Sequence, residues 1–202
     1  MPALGFCRAA RFVLFVVPLF AALPAQAASP SDPSAFVQRL GDTTIEILSN
    51  EGYSDEDRMG RYRALLRDGF AVNTIARFAL GRYWRAATPE LREEYLALFE
   101  EFVLDIYSKR LNVFSGETFI IIKSQTIDES DTMVSTEIGG ADGPPIRVDY
   151  RVRTHDGNLH IVDVLVEGIS LIITQRSEFA SIINRDGLEG LIDKLRKYTK
   201  DN

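Results

Sequence analysis

Residues 158–179 read NLHIVDVLVEGISLIITQRSEF. A strand with one wet face alternates apolar and polar residues. Here apolar residues take both parities: Leu159, Ile161 and Leu165 on one, Val162, Val164 and Val166 on the other. Asp163 and Glu167 interrupt the run. The pattern predicts one long strand from Asn158 to Ile172 with a surplus apolar face. Helices covering both sides of the sheet would bury that surplus as ordinary core. A strongly curved sheet would instead turn it toward an internal cavity. Periodicity alone leaves both outcomes open.

Upstream, residues 117–127, 132–138 and 145–154 also carry the two-residue period, and they predict three more strands. Ile146, Val148, Tyr150 and Val152 alternate with Arg147, Asp149, Arg151 and Arg153, so this strand has one solvated face. His155-Asp156-Gly157-Asn158 is a tight hairpin signal. Successive strands joined by short turns predict an antiparallel sheet.

Before the strands the period is helical. Phe36, Leu40, Ile47 and Leu48 mark a helix from Pro33 to Asn50. Ser54 and Asp57 predict a capping box for a helix running to about Asp68. Val72, Ile75, Ala76, Phe78 and Ala79 form a stripe that stops at Gly81. Thr88-Pro89-Glu90 opens the longest amphipathic segment, with Leu91, Tyr95, Leu98, Phe99, Phe102, Val103, Ile106 and Tyr107 on one face. After the strands, residues 177–184 and 188–198 return to helical spacing. Helices, then a meander, then helices predict an α+β fold in one domain.

The first 27 residues read differently. Arg8 and Arg11 precede the apolar run Phe12–Leu23, and Ala25-Gln26-Ala27 fits a small-x-small cleavage rule. These predict a signal peptide over 1–27 and a mature domain over 28–202. The run is shorter than the ~20 residues of a membrane-spanning helix. The sole cysteine, Cys7, leaves with the signal, so neither disulfide nor thiolate site is expected. The signal removes two basic residues and no acidic ones, so the mature chain is more acidic than the full chain at −6. Such a charge argues against nucleic acid as a partner and against permanent attachment to anionic lipid.

Chemistry is sparse. His155 and His160 share no metal-ligand spacing with each other or with a carboxylate cluster. The glycine-rich residues 139–145 lack the lysine of a phosphate loop. Glu93-Glu94 and Glu100-Glu101 fall on a helix's wet face. Asp163 is the one carboxylate inside an apolar strand. It reads as a general base or as a carboxylate held at the sheet's rim, and no second catalytic group accompanies it. No catalytic residue, metal or cofactor is therefore assigned, and the chain is not read as an enzyme.

Three stretches resemble one family. They are residues 79–111, residues 145–152 (PIRVDYRV) and residues 159–195, the last containing Val162-Asp163-Val164, Val166-Glu167-Gly168-Ile169-Ser170-Leu171, Arg176 and Phe179. The resemblance is to the MlaC family, periplasmic phospholipid carriers also called toluene-tolerance proteins, one branch of which is linked to hopanoid metabolism. Residues 28–70 match more weakly. The resemblance implies a curved, NTF2-like antiparallel sheet of four to five strands, wrapped by N- and C-terminal helices around an apolar pocket for acyl chains. It implies a periplasmic monomer that shuttles a phospholipid or related membrane lipid. The shuttle would run between an outer-membrane lipoprotein complex and an inner-membrane ABC transporter bearing an MCE-type subunit. The pocket-wall residues expected from this reading are Phe78, Tyr83, Trp84, Phe99, Phe102, Val103, Ile106, Tyr150, Val152, Val164, Val166, Ile169, Leu171, Phe179 and Ile183. Arg82 or Arg85 would sit at the mouth near phosphate, and Gly81, Gly168 and Gly187 are candidate hinges. Two other readings stand beside the carrier. One is an NTF2-like periplasmic enzyme using Asp163, and the other an assembly factor with a packed core.

Overall fold

The computed structural model describes residues 32–109, 116–140 and 143–201. The expected signal peptide lies outside the described residues, as does the side chain of Tyr107.

Side-chain caps start several of the helices. In α1 (Pro33–Ser49) the Asp32 carboxylate accepts the Ser34 N–H at 2.9 Å, and Pro33 occupies the first turn. In α2 (Asp55–Gly69) the expected capping box is present: Asp57 N–H donates to Ser54 Oγ, and Ser54 N–H donates back to the Asp57 carboxylate. α3 (Val72–Leu80) stops at Gly81, and α4 (Tyr83–Ala86) is a single turn. α5 (Pro89–Lys109) begins where Thr88 Oγ1 accepts the Leu91 N–H.

β1 (Thr118–Thr126), β2 (Asp131–Gly139), β3 (Ile146–His155), β4 (Asn158–Val166) and β5 (Ile169–Ser170) form one antiparallel sheet in sequence order. The β3–β4 turn holds Asp156 and Gly157 at φ 48° and 76°, the left-handed pair of a two-residue hairpin.

The structure corrects the reading of residues 158–172 as one strand. β4 ends at Val166, Glu167-Gly168 makes a second left-handed turn, and α6 (Leu171–Asp201) begins directly after β5. The surplus apolar face also has another explanation. Arg151 pairs with Asp163, but the next residue, Val152, pairs with Ile161, which leaves Val162 as a β-bulge. One extra residue reverses the parity. Leu159 and Ile161 therefore share a face with Val164 and Val166, and this strand presents one main apolar face on two parities. Ile122 causes the same switch in β1, between Ile121 and Lys123. Bulges bend and twist the strands that carry them, and both act on this sheet.

Two cores result. One face of the sheet packs Val134, Val152, Leu159 and Ile161 against Val37 of α1. The other core is helical: Ala76, Leu80, Tyr95, Phe99, Phe179, Leu191, Ile192 and Leu195 come from α3, α5 and α6. Tyr95 is fully buried, and its hydroxyl donates to the Ala76 carbonyl at 2.9 Å. Helix α6 kinks at Gly187, where φ 75° and ψ 173° lie in a region open essentially to glycine alone. The backbone of the α2–α3 junction bonds to β4, Ala71 N–H to Ile161 C=O at 2.9 Å, which fixes α2 against the sheet.

The opposite face of β2 and β3 is polar, as the alternation predicts. The Asp131 carboxylate is fully buried there between Arg153 and Arg151, whose guanidinium nitrogens approach to 2.7 and 2.6 Å. The Arg153 hydrogen bonds, and then those of Arg151, hold its pKa down to about 2 against an ordinary 3.8. The folded value lies below the unfolded one. The contribution is therefore complete above the unfolded pKa and is lost as pH falls toward 2. Asp131→Asn is expected to cost about 2 kcal/mol at pH 7. Urea unfolding of wild type and variant across pH 7 to 2 should show the two curves converging at the acid end.

Candidate functional site

The sheet's apolar face and the first two helices do not meet fully. Between them lies a cavity of about 430 Å³ that opens to solvent. Helix α1 supplies Val37, Leu40, Gly41, Thr44, Ile45 and Leu48, and α2 supplies Tyr62, Leu65 and Leu66. Phe70 and the sheet residues Phe119, Ile138, Ile146, Tyr150 and Ile161 complete the apolar wall.

The spacing on α1 turns one stripe of residues toward the sheet. Val37, Leu40, Gly41, Thr44, Ile45 and Leu48 recur three and four residues apart, so all face the sheet. Two of them are small. Gly41 has no side chain, and the Phe119 ring fills its place: a Cβ there would stand 2.5 Å from the ring. Thr44 spends its hydroxyl on the Leu40 carbonyl at 2.8 Å and reaches no further.

The wall carries little charge. Glu117 is its single ionisable acid or base among the described residues apart from the tyrosines. Burial pushes the Tyr150 hydroxyl up to about 12, and its hydrogen bond with Thr136 opposes that shift. Tyr150 is therefore neutral throughout the physiological range. A mostly apolar wall with a few polar groups suits a ligand with a long apolar part.

Of the fifteen wall residues expected from the sequence, only Tyr150 lines this cavity among the described residues. Val152 and Val164 belong to the same core beneath α1, and Val166 follows on the same face. Phe99, Phe102, Val103, Phe179 and Ile183 pack in the helical core, with Tyr83 and Trp84 against it. Ile106 is half-buried on α5, and Leu171 is half-buried at the start of α6. Phe78 and Ile169 are exposed, at 44% and 65%. Arg82 and Arg85 do not line the cavity: Arg82 donates to Tyr83 Oη, which in turn donates to Asn184. The aromatic stripe of α5 packs instead on Phe179 of α6, ring against ring at 6.1 Å. The α1 stripe Val37, Leu40, Gly41, Thr44, Ile45 and Leu48, with short Thr44 at its middle, is the signal that sequence reasoning passed over.

Asp163 has a structural use. One oxygen accepts the N–H of Val164 at 2.8 Å and of Ile172 at 3.3 Å, and the other accepts the Ser170 hydroxyl at 2.7 Å. The Ser170 hydroxyl also accepts the Ile173 N–H, so the pair caps α6. Among the described residues no group of three or more His, Cys, Asp and Glu side chains could hold a metal ion. No helix there is long and apolar enough to cross a membrane.

Comparison with known proteins gives a consistent result. Residues 38–197 match the family model described as MlaC protein. The chain is 21% identical over 180 residues to the intermembrane phospholipid transport system binding protein MlaC of Haemophilus influenzae, covering 85% of this chain and 84% of that one. It is 24% identical over 181 residues to the toluene tolerance protein ttg2D of Pseudomonas putida, covering 84% and 81%. A solved phospholipid-binding protein from Ralstonia solanacearum, in complex with a phospholipid, superposes with a TM-score of 0.74 at 22% identity. That match covers 84% of this chain and 98% of the other.

Proposed function

We propose that this chain, which belongs to the MlaC family, is a periplasmic lipid carrier that takes acyl chains into the cavity between its sheet and α1–α2. The observation that carries this reading is the cavity itself. Its volume of about 430 Å³ falls within the usual range for ligand sites, and its wall is almost wholly apolar. An acyl chain in water costs about 0.8 kcal/mol per CH₂, so a sixteen-carbon chain costs on the order of 10 kcal/mol. A soluble carrier offsets that cost by offering apolar wall in place of water, with no chemical step. The headgroup would stay at the open side by Glu117 and Ile146. In this reading the protein loads and unloads as a monomer at an inner-membrane ABC transporter with an MCE-type subunit and at an outer-membrane lipoprotein complex. Its phospholipid-binding relatives support that role.

The other two readings have less support. An enzyme built on Asp163 would need a free carboxylate, and that side chain is already bonded to the α6 start. A fully packed assembly factor would have no such cavity.

Native mass spectrometry of protein purified without detergent from a periplasmic extract tests the proposal. The expected spectrum shows a non-covalent adduct, and lipid extraction identifies it as a phospholipid or related membrane lipid. A bare polypeptide mass with a lipid-free extract would refute the carrier reading.

A further inference from the structure

The charge of this chain is uneven. Its formal net charge is −6, yet Asp68 to Glu90 encloses three arginines and no carboxylate, and Glu167 to Glu178 encloses one more arginine and none. The fold brings these two segments together. The Arg176 guanidinium of α6 lies 5.0 Å from the Phe78 ring centre on α3, and it fills the space beside Gly81. Arg82 follows Gly81, and Arg77 stacks on Trp84. Among the described residues Arg77, Arg82, Arg85 and Arg176 are exposed and make no ion pair with a carboxylate. Most other arginines of the described chain have such a partner. Beside them three large apolar side chains face water: Phe78 at 44%, Ile169 at 65% and Ile173 at 57%.

The Ile169 end of this surface lies near Ile146, a residue that lines the cavity. Glu167 N–H donates to Arg147 C=O at 3.0 Å, so the turn that carries Ile169 lies beside β3 at its start. The residue before Arg147 is Ile146, which lines the cavity and is itself 50% exposed.

We infer that this face docks the protein reversibly on an anionic lipid surface, with the arginines on headgroups and the exposed isoleucines and Phe78 at the interface, the cavity mouth turned toward the same bilayer. The inference rests on the carrier reading for its reason to meet a membrane. Charge complementarity selects the occupant: unpaired guanidiniums attract phosphate, and exposed apolar side chains among them fit the interfacial layer. The net negative charge of the rest of the molecule keeps the contact from being permanent. Glu167 and Glu178 border the patch but form no ion pair with its arginines: Glu167 accepts the Arg147 N–H and Glu178 the Gln175 amide.

The test is flotation of the mature protein with vesicles of phosphatidylglycerol and phosphatidylcholine in equal parts, and with phosphatidylcholine alone. Wild type is expected to float with the anionic vesicles, to stay behind with the neutral ones, and to be released by high salt. Each arginine is worth roughly fivefold in partition, so Arg82→Gln with Arg176→Gln should weaken binding by about thirtyfold. Ile173→Ser alone should weaken it without changing the salt dependence. Circular dichroism and native mass spectra of the same samples report folding and bound lipid separately. Equal flotation with neutral vesicles, or no effect of the double variant, overturns the docking surface. No flotation by wild type that still carries lipid also overturns it, leaves the carrier reading intact, and turns the patch toward an acidic protein. Anionic flotation by protein that never carries lipid upholds the surface and defeats the carrier reading instead.

Discussion

Thr44→Trp, mixed with an equal amount of wild type and limiting phospholipid, is expected to take up no more than about a tenth of the lipid that wild type takes while remaining folded. Thr44 lines the cavity from the middle of α1, and its only side-chain hydrogen bond among the described residues is to its own helix. An indole there projects into existing space rather than into packed atoms, so the penalty for overpacking is small. The effect on lipid is not small. Each methylene returned to water costs about 0.8 kcal/mol, and 1.4 kcal/mol is a factor of ten in affinity. Displacing two methylenes is enough, and an indole displaces more. Native mass spectrometry gives the bound fraction, and thermal unfolding confirms that the variant is folded. A folded variant with an unchanged lipid load would show that the chains bind elsewhere.

Where sequence reasoning succeeds, the signal is short. The Ser54–Asp57 capping box, the Thr88-Pro89 helix start and the Asp156-Gly157 turn each depend on a few neighbouring residues, and each forms as read. The α+β order and the antiparallel sheet follow from periods that persist over whole elements. The failures come from features that a period cannot carry. A bulge adds one residue to one strand, and it is visible only against the partner: Val162 stands out because Val152 meets Ile161. Read alone, the strand shows two apolar parities and suggests two faces. A cavity is hard to read from a sequence for a related reason. Large aromatic residues announce themselves, and Phe99, Phe102 and Phe179 draw the expected wall toward the helices. Empty space is made by what is absent, here the reach of Thr44's short side chain, whereas the Phe119 ring takes the place of the side chain that Gly41 lacks. A stripe that contains small residues opposite a sheet is a better pointer to a hollow than a stripe of rings, which attract one another and close.

That contrast makes the second large prediction. Phe179→Ala should lower stability by about 3–5 kcal/mol and the midpoint of thermal unfolding by roughly 10 °C, with the lipid load per folded molecule unchanged. Phe179 is 2% exposed. Its ring lies 6.3 Å from that of Tyr95, 6.1 Å from Phe99 and 6.1 Å from Phe102. Edge-to-face and tilted aromatic contacts add to the burial, and three rigid neighbours limit how far the site can collapse into the void. None of these four rings lines the cavity. The helical core therefore holds the fold, and the proposed ligand cavity lies apart from it, between the sheet and α1 and α2. The same pair of measurements used for Thr44→Trp should give the reverse pattern: a large loss of stability with lipid retained. A small shift in midpoint together with lost lipid would return the binding site to the aromatic helices, because only a ligand-filled space there would let the ring be removed so cheaply.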